Sequence, residues 1–142
     1  MQVQTPVADR NWAMAAHLSA LAAIAGLPFG HVVGPLVVYL IKARDSEFVA
    51  EHARASLNYQ LTLSLGLITA VIVGLGATFG FLLPMRDASD TALGLSVTAL
   101  WVSFGLLLLL VVLASLIFII MGTIAAGEGR PYTYPFAIRF LR

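Results

Sequence analysis

The chain has 142 residues, 60% of them hydrophobic and 11% charged, with a formal net charge of +1. That length holds one domain of ordinary size. The charge balance excludes a basic nucleic-acid-binding face, and the lack of cysteine excludes disulfides, thiolate catalysis and Cys-ligated metals.

Taken in chain order, residues 1–8 read as a polar, disordered tail with Pro6. Residues 11–41 then contain no Asp, Glu, Lys or Arg. Asp9 is placed to cap a helix over about residues 9–27, which ends where Pro28-Phe29-Gly30 interrupts the hydrogen-bond ladder. The Ala23-Ile24-Ala25 pattern resembles a secretory cleavage site. Hydrophobicity resumes directly after it, however, so a retained helix is expected. A second piece covers about residues 32–44. A full span needs about 20 apolar residues, so this first run forms either one broken span or a hairpin of two short helices.

Asp45-Ser46-Glu47 supplies a capping oxygen and an acid for a third helix, about residues 46–83. Glu47, Glu51, Arg54 and Asn58 fall on one stripe of it, an amphipathic lead-in for the interface, with Glu47, Glu51 and Arg54 as its charges. Residues 55–85 and 91–127 are again free of charge. A polar turn at residues 84–90 leads to a fourth helix, about residues 90–126. The last charge-free run would measure roughly 55 Å as a straight helix, longer than a hydrocarbon core of about 30 Å, so it must tilt, bend or project. In the tail, residues 127–142, Arg130, Tyr132, Tyr134, Arg139 and Arg142 are candidate headgroup anchors.

The expected fold is therefore an all-α integral membrane protein, with residues 9–142 as a single domain. If the first run is a hairpin, seven of the eight Lys and Arg residues share one side and only Arg86 lies opposite. A single crossing moves Arg10 across. Either way the positive-inside rule puts the C-terminus in the cytoplasm, and the hairpin puts the N-terminus there too.

Two constellations stand out. Asn58, Thr62, Gly66, Ala70, Gly74 and Thr78 recur every four residues, a ridge of small or hydrogen-bonding side chains that suits a packing seam within the chain or between copies. His17 lies roughly 10 Å inside the first helix, at a depth shared with Asn58, Gln60 and Thr62. It reads as a neutral hydrogen-bonding residue tied to one of these, with a proton relay or ligand role as the sharper alternative. His17, His31 and His52 lack the i, i+4 pairing of a zinc hydrolase. Glu51 with Arg54 reads as an interfacial ion pair. No nucleophile motif or phosphate loop occurs, so no enzyme, metal site or cofactor is expected.

Several stretches match a family pattern. They are residues 12–20 (Trp12-Ala13-Met14-Ala15-Ala16-His17-Leu18-Ser19-Ala20), Pro28-Phe29-Gly30, Gly34-Pro35-Leu36, Tyr39-Leu40-Ile41-Lys42, Phe48-Val49, Glu51-His52-Ala53, Leu57-Asn58-Tyr59-Gln60, Tyr132-Thr133-Tyr134-Pro135 and Ile138-Arg139-Phe140. With these the chain resembles the Tic-twenty-like bacterial membrane proteins, distantly grouped with a protein-conducting component of the chloroplast inner envelope. The resemblance implies four membrane helices, the first two short and hairpin-like, in a bacterial inner membrane. The expected function is a non-enzymatic accessory or assembly subunit of a larger membrane complex. Its partners are the lipid bilayer and other membrane proteins or copies of itself. An oligomeric channel or transporter-like module is the alternative.

Overall fold

The computed structural model describes residues 5–24, 26–83 and 90–142. Among these residues the chain forms four α-helices and no strand: α1 (Val7–Leu18), α2 (Gly30–Lys42), α3 (Glu47–Leu82) and α4 (Asp90–Gly127), with a 3-10 segment, Ser19–Ala23, continuing α1. Residues 84–89 of the turn expected at 84–90, residues 1–4 of the N-terminal tail and Ala25 of the cleavage-like pattern lie outside the described residues.

Local chemistry explains most of these boundaries. Pro6 stands at the N-cap of α1, where a missing N–H costs nothing, and Asp9 falls in the first turn. The Ser46 hydroxyl accepts from the Val49 N–H at 3.4 Å and donates to the Asp9 carboxylate at 2.8 Å. Capping α3 thereby also ties it to α1. At the end of α4, Gly129 takes φ 73°. Its N–H bonds the Ala126 carbonyl, and the Arg130 N–H bonds the Ala125 carbonyl. This paired arrangement closes a helix through a left-handed residue, which glycine adopts without steric cost. Arg10 adds a guanidinium bond to the Gly127 carbonyl at 3.4 Å.

Two compact units result, Met1–Ser64 with Leu116–Arg142, and Leu65–Ser115. The first holds α1, α2, the start of α3, the end of α4 and the tail. Its core is built from small side chains: Ala13, Ala16, Ala53 and Ala126 have no exposed surface. Ala16 packs with Val38, Val49 and Ala53, and Ala20 with Tyr59, Ile119 and Tyr134. Alanine at these contacts lets helix backbones approach closely.

The tightest approach is made by α2. A Cβ added at Gly34 would stand 2.4 Å from the Ser19 carbonyl oxygen, and one at Gly30 would stand 2.8 Å from the Ala23 nitrogen. Gly30 and Gly34 are four residues apart on one ridge, the Gly-x-x-x-Gly spacing of close helix packing. In the sequence Gly30 reads as part of the break after the first helix and Gly34 as part of the second piece, and the pair was not singled out.

The second unit contains the rest of α3 and the first part of α4. Its large apolar side chains are mostly exposed: Ile68, Ile72, Val73, Leu106, Leu107 and Leu110 each show more than half their surface. Glu47–Phe81 and Thr91–Gly127 are long and apolar enough to cross a membrane.

Candidate functional site

The first unit buries an unusual group of polar side chains. His17 on α1 has no exposed surface and His52 on α3 has 1%. Their rings meet through His17 Nε2 and His52 Nδ1 at 2.8 Å. His17 Nδ1 lies 2.8 Å from the Tyr134 hydroxyl of the tail, and His52 Nε2 lies 3.1 Å from the Arg130 backbone carbonyl.

The chemistry at the two ends assigns the protons. A carbonyl oxygen only accepts, so His52 Nε2 carries hydrogen. With that ring neutral, its Nδ1 accepts, and His17 Nε2 must donate to it. His17 Nδ1 then accepts from the Tyr134 hydroxyl. Burial pushes the Tyr134 phenol above its ordinary range, so it remains a donor. The result is one directional chain, Tyr134 to His17 to His52 to the Arg130 carbonyl, satisfied with both imidazoles neutral. A relay needs a group at its end that can take up a proton, and a backbone carbonyl is not one. The chain joins α1, α3 and the tail.

Its surroundings hold the rings in place. Tyr134 stacks on Tyr59 with ring centroids 4.3 Å apart, and Phe48 lies 4.6 Å from the His52 ring. On α4, Gly122 gives the His17 ring its room, since a Cβ there would meet the ring at 3.0 Å.

Sequence reasoning placed Asn58, Gln60 and Thr62 beside His17. The structure gives His17 the partners His52 and Tyr134 and gives Asn58 and Thr62 another task. The Asn58 side-chain oxygen accepts from the Phe140 and Leu141 N–H groups at 3.0 and 2.8 Å, and its amide donates to the Leu141 carbonyl at 3.0 Å. The Thr62 hydroxyl accepts from the Ile138 N–H at 2.9 Å and donates to the Asn58 carbonyl at 2.7 Å. The tail's irregular backbone is thus clamped along α3, satisfying groups that no secondary structure would pair. Gln60 is buried, with its side-chain nitrogen unpaired among the described residues.

This clamp gives a direct expectation. Asn58→Leu keeps the volume but removes three hydrogen bonds, each worth about 0.5–1.5 kcal/mol net. Limited proteolysis should then cut after Arg139 at least several-fold faster than in the parent, with α1 to α4 intact by circular dichroism. An unchanged cleavage rate would mean the tail is held by other means.

The remaining expected residues are placed as follows. Arg54 pairs with Glu47, while Glu51 stays exposed. Arg130 pairs with Glu128, Tyr134 is buried, and Arg139 and Arg142 are exposed. Along the ladder, nothing approaches a Cβ at Gly66, Gly74 faces Trp101 at 3.8 Å, and the Thr78 hydroxyl bonds back to the Gly74 carbonyl. His31 bonds Ser64 at 2.9 Å. Among the described residues no three His, Cys, Asp or Glu side chains gather as metal ligands.

Sequence reading missed His52 and Tyr134 as partners of His17, and Gly122 behind it. The partners lie 35 and 117 residues away, so no local spacing could signal them.

Residues 8–141 match the family model described as the magnetosome magnetite crystal formation protein family. This corrects the Tic-twenty-like resemblance: the family matched is a different one, although the stretches quoted for that resemblance fall inside the matched region. No curated protein and no solved structure matches the chain.

Proposed function

The chain belongs to the magnetosome magnetite crystal formation protein family, and from that premise we propose that it is a non-enzymatic membrane protein that supports crystal formation as an accessory subunit. The observation that carries this reading is the closed hydrogen-bond chain from Tyr134 to the Arg130 carbonyl. His17 and His52, the most buried titratable side chains of the first unit, are spent on holding the fold together rather than left free to transfer a proton to a substrate.

Membrane insertion is supported by α3 and α4, whose length suffices for crossing and whose leucines, isoleucines and valines face outward. Water would not tolerate an apolar surface of that extent on a monomer. In this reading α1 and α2 form the short hairpin, and both termini lie on the cytoplasmic side with most of the arginines. Of the ladder, Gly66 is exposed with open space before it, while Ala70, Gly74 and Thr78 are half-buried and Gly74 faces Trp101, so the stretch around Gly66 is the part that a helix of a partner protein or of a second copy could approach. His17 faces His52 and Tyr134 of its own chain, which favours a subunit over a channel lined by this histidine.

The test is genetic. In a magnetite-forming bacterium lacking the gene, His17→Gln should restore crystal size and number, measured by electron microscopy. Glutamine keeps a donor and an acceptor but cannot titrate. Wild-type crystals in the deletion strain would defeat the assigned role. A His17→Gln strain as defective as the deletion, despite normal protein levels, would mean that a titrating imidazole is needed and would revive an enzymatic or relay role.

A further inference from the structure

Where the tail crosses α3 it encloses an open cavity of about 560 Å³ whose walls include Arg54, Arg139 and Arg142 with Glu51, His52 and Tyr132. Three arginines thus line it with one glutamate. Arg54 is already matched by Glu47. Arg139 and Arg142 are exposed and make no ion pair among the described residues.

Their positions are not loose. Arg139 lies between Ile138 and Phe140, whose N–H groups are held by Thr62 and Asn58. Arg142 follows Leu141, which Asn58 holds at both its N–H and its carbonyl. The clamp therefore fixes the backbone on either side of one arginine and directly before the other. Arg54 stands one turn before Asn58 on the same face of α3.

Beside these charges, on the cavity wall, Phe136 is 92% exposed at φ 61°. A non-glycine residue in the left-handed region costs energy, and strain of this kind concentrates at ligand-binding sites. An aromatic ring presented beside arginines is the arrangement found at the boundary between headgroups and acyl chains.

We propose that this cavity binds the phosphate of an anionic glycerophospholipid, with Arg139 and Arg142 as its principal ligands, Arg54 contributing positive potential, Glu51 accepting from headgroup hydroxyls and Phe136 resting among the acyl chains. Guanidinium forks match phosphate oxygens in pairs. The site lies where the polar stripe of α3 gives way to the apolar run, which is headgroup depth if α3 crosses the membrane. The proposal rests on that membrane reading.

The full chain in mild detergent is titrated with dioctanoyl phosphatidylglycerol, dioctanoyl phosphatidylcholine and sodium phosphate, and bound lipid is read by native mass spectrometry. Phosphatidylglycerol should bind at least about tenfold tighter than phosphatidylcholine. Arg139→Gln with Arg142→Gln should weaken phosphatidylglycerol by about thirtyfold, roughly fivefold for each arginine. Phosphatidylcholine, whose choline offsets the charge of its phosphate, should lose less than phosphatidylglycerol, and the melting temperature should not change, because both side chains are exposed. Equal affinity for the two lipids, or an unchanged affinity in the double variant, overturns the proposal. Displacement by equimolar sodium phosphate overturns it in favour of a free-phosphate site. The membrane reading is tested separately by alkaline carbonate washing: a chain that washes off membranes yet keeps lipid selectivity defeats that reading alone.

Discussion

Gly34→Ala will destabilise the protein while Gly66→Ala will not, although both place one methyl group on a glycine of an apolar helix. At Gly34 the new carbon would lie 2.4 Å from the Ser19 carbonyl oxygen and 2.7 Å from the Ser19 carbonyl carbon. These are backbone atoms and cannot swing aside, so α2 must move away from the 3-10 segment. Overpacking of this kind costs typically about 1–3 kcal/mol. At Gly66 nothing lies within 4 Å, and exchanging glycine for alanine inside a helix gains about 0.5–1 kcal/mol. Thermal melting of the detergent-solubilised chain should lower the midpoint for Gly34→Ala by several degrees and raise it slightly for Gly66→Ala. If both variants melt at or above the parent, the close crossing of α2 is wrong. If Gly66→Ala instead destabilises a multimeric form, the ladder on α3 is a seam between copies.

His17→Leu should lower stability by about 2–6 kcal/mol, because it strands two buried groups at about 1–3 kcal/mol each. His52 Nδ1 loses its donor and the Tyr134 hydroxyl loses its acceptor. A leucine is close enough in size to fill the site, so the loss arises from unpaired polarity more than from a cavity. The pairing has a sharper signature in a double variant. Tyr134→Phe removes the hydroxyl that His17→Leu strands, so the two changes together should cost less than the sum of each alone, by about 1 kcal/mol or more. Strict additivity in denaturant melts would show that the hydroxyl and the imidazole are not coupled.

The two cases divide along the line between local and distant information. The start of α3 and the close of α4 have local causes: Ser46 beside its own helix, and Gly129 in a left-handed turn that closes α4. The ladder beginning at Asn58 was visible as a spacing of four; the pair Gly30 and Gly34 has the same spacing but was not singled out. Spacing identifies a ridge that could be approached closely. It does not say which ridge has a neighbour, and in the first unit the neighbour is the 3-10 segment against α2. Asn58, Gln60 and Thr62 stand out in the sequence as polar groups in an apolar setting, but their depth along the helix could not tell which face the tail would cover.

Sequence alone determined that this chain is helical, apolar over three long runs and arginine-bearing in its C-terminal tail, since these follow from composition, period and capping chemistry within a few residues. Only the tertiary structure decided what the polar residues do. It folds the tail back over α3 so that Tyr134 reaches His17 across 117 residues of chain. It also spends Asn58 and Thr62 on the backbone of Ile138, Phe140 and Leu141. The physical reason is that a buried donor or acceptor must find a partner, while which partner it finds depends on distances that only the packed chain supplies.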